Sequence, residues 1–286
     1  MVKWVWCAAV AVLGACMPLP PAPLTAGPPR LELVWRAEGL ANPESAALSE
    51  DETFLYVTNV NGEADARDGN GFIARVSIDG RVLEREWARG LNAPKGIARG
   101  GSSLYVADID RMVVIDARSG VILRTVPVPD ARFLNDLTFA PDGRVLLADS
   151  GAGRIYAITS DAPEIWLEHD LLRSVNGLLA EPERLVVTTM AWRLLAIDYA
   201  TKEIRVLAEG LGDGDGVASL GDGEYLVSEW PGLMHVVTPA GAYMTIMDSR
   251  AENRYLNDFL LVGDRLYQPH WEPSEMSAYR LVRGAP

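Results

Sequence analysis

Six polar side chains occupy equivalent places along the sequence, each followed by a small or acidic residue and then by an apolar one. They are Glu44, Lys95, Asn135, Asn176, Asp215 and Asn257. The two carboxylates and three amides supply hard oxygen atoms, which Ca²⁺ prefers as ligands and which Mg²⁺ and Mn²⁺ also accept. The set contains no cysteine and no histidine, which argues against a tetrahedral structural zinc site. If the fold brings these side chains to one axis, they predict a divalent-cation site.

The elements that must position these side chains are short strands in a repeated pattern. An apolar, strand-like run follows each polar residue by nine to eleven positions, and successive runs are separated by 49, 41, 40, 40 and 41 residues. Turn residues such as Pro141, Asp142 and Gly143 lie between the runs, and no segment keeps a helical period over two turns. Four short strands in each of six such repeats predict an all-β, six-bladed β-propeller. A β-sandwich, the alternative, would not predict six equal repeats.

The two ends of the chain predict how the ring closes. The last repeat ends at its third strand, residues 277–281, and leaves no room for a fourth. Residues 31–40 resemble the outer strand of the first repeat, in which residues 87–91 stand at the matching place. We therefore expect the N-terminal strand to complete the sixth blade of a propeller spanning residues 31–286, which leaves no exposed strand edge at the seam.

Polar side chains that merely hold water are the alternative interpretation, since a channel through a propeller is normally wet. Serine and threonine would serve that role equally well, yet neither occurs at this position in any repeat. Lys95 complicates a cation site, because an ammonium group near a divalent cation raises the Coulomb energy. We expect it to lie across the channel and pair with Asp213 or Asp136, or to hold an anionic group of a substrate.

Glu44, Asn135, Asn176 and Asp215 stand in the first, third, fourth and fifth repeats, and this order resembles a known family of six-bladed propellers. The family comprises senescence-marker protein, gluconolactonase and regucalcin, with paraoxonases and diisopropylfluorophosphatase in a wider group. The segments that carry the resemblance are residues 42–45, 135–136, 141–144, 175–178 and 215–217. The resemblance implies that Glu44, Asn176 and Asp215 bind a divalent cation. It also implies that Asn135 either binds this cation or contacts substrate through it.

Two departures from the family pattern leave the substrate open. Many members have Glu-Gly-Pro at the first ligand, where residues 44–46 of this chain read Glu-Ser-Ala. The histidine pair of the paraoxonases is not evident among His169, His235 and His270. The cation site is therefore the better supported part of the resemblance.

The resemblance implies a hydrolase of lactones or related esters, with Ca²⁺ as the expected cation and Mg²⁺, Mn²⁺ or Zn²⁺ as alternatives. Such a cation polarises the carbonyl group while a carboxylate accepts the proton of the attacking water. Asp215 is the first candidate for this base, and Asp213 or Asp258 is the alternative. A non-catalytic propeller that binds a ligand or a protein partner is the second functional hypothesis, since a fold by itself specifies no function. A metal-free enzyme of the strictosidine synthase type has no specific support.

The loops after the second strand of each repeat should open on the same face as the six polar residues. The candidate substrate-binding residues are Lys95 and Asn257 of the polar set together with Trp192, Trp230, His270 and Trp271 of these loops. Tryptophan rings around a polar surface could pack against a sugar-like or apolar ring of a substrate. The alternative is that these tryptophans pack between neighbouring blades. The first repeat also carries an insertion, residues 58–71, which we interpret as a mobile lid or an ordinary surface excursion.

Composition limits the class of partner. Lysine plus arginine number 26 against 39 for aspartate plus glutamate, which gives a formal net charge of −13. Such a chain repels phosphate backbones and anionic lipid headgroups, so nucleic-acid binding is not expected. We expect a monomer that acts on a small molecule. Cys7 and Cys16 are the only cysteines, so the chain after residue 16 has neither disulfides nor thiolate ligands.

The first thirty residues are typical of an export signal followed by a tether. Residues 1–16 combine one lysine, a short apolar run and small residues, as in a secretory signal. Residues 13–16 resemble a bacterial lipobox, whose cysteine becomes lipidated, and an ordinary signal cleaved after Ala26 is the alternative. The proline-rich residues 17–30 would form an extended tether. We predict an exported protein that is periplasmic or held at a bacterial membrane by its lipid alone.

Substitution Cys16→Ser should release the protein from the membrane fraction, because the thiol that would carry the lipid is lost. The measurement is the partition of the protein between membrane and soluble fractions of the producing cell. Substitution Cys7→Ser is the matched control and should leave the partition unchanged. Equal partition of wild type and Cys16→Ser would contradict the lipobox interpretation.

Overall fold

The computed structural model describes residues 29–160 and 162–283, which form six four-stranded antiparallel sheets. The N-terminal strand and the strands of blades one to three are β1 (Arg30–Ala37), β2 (Pro43–Leu48), β3 (Phe54–Asn59), β4 (Gly71–Ser77), β5 (Val82–Leu91), β6 (Pro94–Gly100), β7 (Ser103–Asp108), β8 (Arg111–Asp116), β9 (Ile122–Pro127), β10 (Leu134–Phe139), β11 (Val145–Asp149), β12 (Arg154–Thr159) and β13 (Ala162–Glu168). The strands of blades four to six are β14 (Val175–Ala180), β15 (Arg184–Thr189), β16 (Arg193–Asp198), β17 (Ile204–Glu209), β18 (Asp213–Gly221), β19 (Glu224–Trp230), β20 (Leu233–Val237), β21 (Tyr243–Asp248), β22 (Leu260–Val262), β23 (Arg265–His270) and β24 (Glu275–Val282). This architecture confirms the predicted all-β, six-bladed propeller.

In the described part of the chain, helical structure is confined to two short connections between blades. The 3-10 helices Asp170–Leu172 and Arg250–Glu252 lead into β14 and β22. Within residues 29–160 and 162–283, no helix has the length and apolarity needed to cross a membrane. The predicted signal segment, Cys16 and nearly all of the predicted tether lie outside the described residues.

The N-terminal strand closes the ring as the sequence predicts. The sixth sheet has the order β1, β24, β23, β22, so its outermost strand comes from the other end of the chain. β1 pairs antiparallel with β24 from Arg30 opposite Val282 to Ala37 opposite Met276. The seam of the ring is therefore held by a ladder of backbone hydrogen bonds as well as by packing.

The hydrophobic core is divided among interfaces between adjacent blades. Between blades three and four, for example, Leu146 and Ile155 belong to the same buried cluster as Leu185 and Val187. Successive side chains of a strand point to opposite faces of its sheet, so each blade offers one apolar face to each neighbour. The core thus fixes the blades around the central channel, while the ends of the inner strands supply the side chains of its lining.

Deletion of residues 30–37 should abolish recovery of soluble monomer, because β24 would be left with an unpaired edge and the seam would open. The measurements are soluble yield, size-exclusion chromatography and circular dichroism. A chain that starts at residue 29 keeps β1 and should fold normally. A monomeric propeller recovered without residues 30–37 would contradict this account of closure.

Candidate cation site

The inner strands of blades one to five are distorted at the residue predicted to line the channel. The pairing of β2 with β3 shifts register between Pro43 and Ala46, so Glu44 and Ser45 stand opposite the single residue Thr58. The inner strands of blades two to five shift at the corresponding place, at Lys95, Asn135, Asn176 and Asp215. A β-bulge of this kind bends its strand and redirects a side chain. The bulges therefore turn these residues out of the blade-to-blade packing and toward the channel.

Hydroxyl groups on the second strands join bulges in adjacent blades. Thr188 Oγ1 accepts a hydrogen bond from the Gly177 N–H at 2.8 Å and donates to the Asp215 carbonyl of the next blade. Ser228 Oγ accepts from the Gly216 N–H at 2.8 Å and donates to the Asn257 carbonyl at 2.9 Å. A Cβ atom at position 177 would overlap the Asp215 carbonyl. Glycine is therefore required where these inner strands approach each other closely.

Acidic residues at the ends of second strands hold the loops that lead into the inner strands. Buried Asp108 accepts from the N–H groups of Asn92 and Ala93 at 2.8 to 3.1 Å. Buried Asp149 accepts equivalent hydrogen bonds from residues 132–133 at 2.9 to 3.3 Å. The repeat pattern of the sequence did not predict this role. The sequence feature that could have indicated this role is a polar residue at the same place in every repeat, namely Asn59, Asp108, Asp149, Thr189, Glu229 and His270.

Four of the channel residues each present a buried oxygen atom that has no hydrogen-bond partner among the described residues. The atoms are Glu44 Oε2, Asn135 Oδ1, Asn176 Oδ1 and Asp215 Oδ1. They belong to the four residues that the family resemblance assigns to a cation. A buried polar atom without a partner costs about 1–3 kcal/mol, and a bound cation would remove that cost from all four. Two carboxylate and two amide oxygens fit a hard divalent cation such as Ca²⁺.

Negative charge is concentrated at this register. Burial raises the pKa of Glu44 well above its usual value, and Asp215 and Asp258 raise it further, whereas Lys95 lowers it. Burial also raises the pKa of Asp215, while a hydrogen bond with the Asn176 side chain opposes the rise. In residues 29–160 and 162–283, no three His, Cys, Asp or Glu side chains form a metal-binding group. A cation at this register therefore needs the amide oxygens as well as the carboxylates.

A second pair of carboxylates lies one residue further along the inner strands. Asp136 accepts from the N–H groups of Leu137 at 2.7 Å and Leu178 at 2.6 Å. Asp258 accepts from the Ser45 hydroxyl at 2.5 Å. Burial raises the pKa of Asp136, and it raises the pKa of Asp258 to about 6. Both residues line a cavity of about 340 Å³ that continues along the channel away from the entry loops.

Lys95 is buried in the ring, but its partners differ from those expected. Its ammonium group donates to the backbone carbonyl of Ala64, in the insertion of blade one, at 2.7 Å. Burial lowers the pKa of Lys95 to about 8, and the Glu44 carboxylate opposes this effect more than any other charge. The expected ion pair with Asp213 or Asp136 is not found in the described part of the chain. The insertion reaches the ring and supplies a carbonyl partner instead.

Asn257 and His270 make contacts that hold the sixth blade together. Asn257 Nδ2 donates to the Pro43 carbonyl at 2.7 Å and so ties blade six to blade one. His270 is fully buried, with Nδ1 3.1 Å from the Tyr255 carbonyl oxygen and Nε2 2.9 Å from Ser277 Oγ. Burial lowers the pKa of His270 to about 3, so the ring stays neutral. These contacts leave neither ring nitrogen for a substrate, and we remove His270 from the substrate-binding set.

The three tryptophans of the entry face have different surroundings. Trp192 is 63% exposed and has a φ of 71°, a left-handed conformation that is uncommon for a residue other than glycine. Trp230 is half-buried, and its ring centroid lies 4.9 Å from that of Tyr255. Trp271 packs against a small apolar cluster at the top of blades one and two. Trp192 is thus available to a ligand, whereas packing accounts for much of the surface of the other two.

A polar cavity of about 610 Å³ lies between blades three and four. It is lined by residues 150–153, 168–170 and 173–174. Asn135 Nδ2 donates to Ser150 Oγ at 3.3 Å, so the wall of this cavity is continuous with the candidate site. The volume falls in the range of about 300–1,000 Å³ that small-molecule pockets occupy. A molecule held at the ring therefore has room to extend over this part of the entry face.

Solved structures similar to this chain include two lyases. A streptogramin B lyase superposes with a TM-score of 0.65 and 14% identity, over 89% of this chain and 98% of its own. A virginiamycin B lyase from Staphylococcus aureus gives 0.63 and 13%, over 89% of this chain and 100% of its own. A chain of a nidogen–laminin complex gives 0.61 and 17%, over 76% and 91%. Like the chain described here, these neighbours are six-bladed propellers.

Identities of 13 to 17% indicate a shared fold and no more. No family model and no curated protein matches the sequence. The chain thus belongs among the six-bladed propellers, and its narrower resemblance to gluconolactonase and regucalcin remains a hypothesis based on the ring residues.

The rise in melting temperature produced by Ca²⁺ should grow as the pH increases from about 5 to 8. A carboxyl group whose pKa is raised on folding destabilises the cation-free protein as the pH rises through that pKa. Because Glu44 and Asp215 have raised pKa values, a cation must displace their protons in order to bind at low pH. At higher pH both carboxylates are already deprotonated, and the cation binds without displacing a proton. The measurement is thermal unfolding at several pH values with Ca²⁺ or with a chelator.

The double variant Glu44→Gln, Asp215→Asn is the control for this experiment. It lacks both carboxylates and should show no Ca²⁺-dependent rise at any pH. A rise in wild type that is the same at every pH would contradict the assignment of these two residues as ligands.

Proposed function

We propose that this protein is an exported, divalent-cation-dependent hydrolase of lactones or related esters. The proposal depends on the four buried, unpartnered oxygen atoms of Glu44, Asn135, Asn176 and Asp215. Ca²⁺ is the proposed cation, with Mg²⁺, Mn²⁺ or Zn²⁺ as alternatives. When bound, the cation would act as a Lewis acid toward the substrate carbonyl. Export, and attachment to a membrane through Cys16, are proposed from the N-terminal sequence alone.

A carboxylate must accept the proton of the attacking water. Asp215 is the first candidate, but a carboxylate that is fully engaged with a cation is a weak base. Asp213 is half-buried at the first residue of β18, two positions before Asp215, and is the alternative base. We exclude Asp258 from this role, because it lines the cavity further along the channel and bonds to Ser45.

The remainder of a substrate would lie on the entry face. Exposed Trp192 offers an apolar surface, and the cavity beside Asn135 offers a polar one. Four further residues stay in the proposal as residues that lie near the substrate and hold the protein groups around it in place: Trp230, Trp271, Lys95 and Asn257. Their ring faces or amino groups are already engaged within the protein.

Two alternatives make different chemical predictions. Elimination is suggested by the two lyases that share the fold, and it would release an unsaturated product without adding water. A propeller that only binds a ligand or a protein partner would turn over neither class of compound. Reaction in water enriched in ¹⁸O distinguishes hydrolysis, which places the label in the carboxylate product.

Substitution Asp215→Asn should lower the turnover of a lactone or aryl-ester panel by about a hundredfold or more, since it removes a charged ligand and the first candidate base. The same loss should follow chelation of wild type. Elemental analysis of the purified protein should find a divalent cation in wild type and a reduced content in the variant. Asp142→Asn makes the same chemical change at an exposed turn and should leave both values unchanged.

Retention of cation and activity by Asp215→Asn would contradict the proposed site. Cation binding without turnover of any compound would support the ligand-binding alternative. A wild-type protein that neither contains nor binds a divalent cation would favour a channel that only holds water.

A further inference from the structure

The connection between β3 and β4 distinguishes blade one from the other blades. It spans residues 60–70, eleven residues, whereas the connections between the second and third strands of the other five blades have two to four residues. This connection, the blade-one insertion, lies on the entry face and reaches the channel ring through Ala64. Its length and position put it beside the candidate cation site.

Two contacts hold the middle of the blade-one insertion. At the surface, Arg67 forms an ion pair with Asp110 of blade two at 3.0 Å, and both side chains are at least 40% exposed. Such an exposed pair contributes little to stability. In the interior, the Lys95 ammonium donates to the Ala64 carbonyl at 2.7 Å. A charge-assisted hydrogen bond from a buried group is the stronger of the two tethers.

The Lys95 ammonium also faces the candidate site. Lys95 stands at the same bulge position as the four proposed ligands, and Glu44 is the acidic residue with the largest electrostatic effect on it. Its other contacts are the Ala93 carbonyl at 3.1 Å and the ring of Phe133, with the ammonium 4.2 Å from the ring centroid. One buried cationic group thus acts on both the ring and the insertion.

We propose that Lys95 is a positioning residue that couples cation binding at the ring to closure of the blade-one insertion. Without a bound cation, the Glu44 carboxylate attracts the ammonium and competes with the Ala64 carbonyl for it. A divalent cation engages Glu44 and repels the ammonium, so the backbone carbonyls become its best partners. Cation binding therefore stabilises the closed insertion, and by linkage the closed insertion favours cation binding.

This inference rests on the proposed cation site and adds a lid that senses its occupancy. Closure over the ring would retain a substrate and limit its contact with bulk water while the cation is in place. Loss of the cation would weaken the interior tether and leave mainly the exposed pair between Arg67 and Asp110. The blade-one insertion would then be open when the protein lacks its cation and is inactive.

Hydrogen–deuterium exchange of residues 60–70, measured by mass spectrometry, tests the coupling. In wild type, Ca²⁺ should slow exchange in this segment several-fold relative to chelator. Lys95→Met keeps the length of the side chain without its charge, and it should raise exchange in chelator by roughly tenfold and abolish the response to Ca²⁺. Lys95→Arg keeps a cationic donor and should retain the response. Arg67→Ala removes only the surface tether, so exchange should rise modestly and still respond to Ca²⁺.

Calorimetric titration with Ca²⁺ on the same samples separates the two proposals. If wild type binds Ca²⁺ but residues 60–70 exchange at an unchanged rate, the coupling is wrong and the cation site stands. If Lys95→Met still binds Ca²⁺ and still shows protection, Lys95 is not the coupling residue. If wild type binds none of Ca²⁺, Mg²⁺, Mn²⁺ and Zn²⁺ in the same titration, the proposed function fails, and the coupling fails with it.

Discussion

A β-bulge at the entry of the inner strand in blades one to five is the constraint on which the channel depends. In a regular strand, alternate side chains would all enter the interfaces between blades, and the channel would present mainly backbone. The extra residue at the bulge turns a polar side chain such as Glu44 or Asp215 toward the axis instead. Hydroxyls of Thr188 and Ser228 then bond the bulges of blades four and five to the next blade. Ring geometry and blade packing are thus parts of one hydrogen-bonded structure.

The buried carboxylates of the channel divide into two kinds. Asp136 and Asp258 are stabilised by the protein itself, through backbone N–H groups and the Ser45 hydroxyl. Glu44 and Asp215 each retain an oxygen atom with no partner among the described residues. Burying a charged group costs several kcal/mol unless it is paired. The protein therefore supplies hydrogen-bond donors to Asp136 and Asp258 and leaves Glu44 and Asp215 suited to a cation. For this reason we place the proposed chemistry at the entry end of the channel.

The propeller scaffold and the functional site carry different kinds of information. Lyases that are 13 to 14% identical to this chain share its ring of blades almost end to end. The entry face of this chain carries the insertion 60–70, exposed Trp192 and the cavity between blades three and four. Function in propellers is determined by such loops and by the residues at the axis. The substrate class is therefore to be found by studying the entry face.

The sequence by itself determined the number of blades, the N-terminal closure and the register of Glu44, Asn135, Asn176 and Asp215. These features repeat locally, and a strand places its side chains with a period that can be counted along the chain. Only the tertiary structure decided that Lys95 bonds to Ala64 and that acids such as Asp108 and Asp149 hold loops. It also decided that His270 is buried with both ring nitrogens engaged. Those roles depend on which distant segment lies opposite a side chain, and no spacing within one repeat records that.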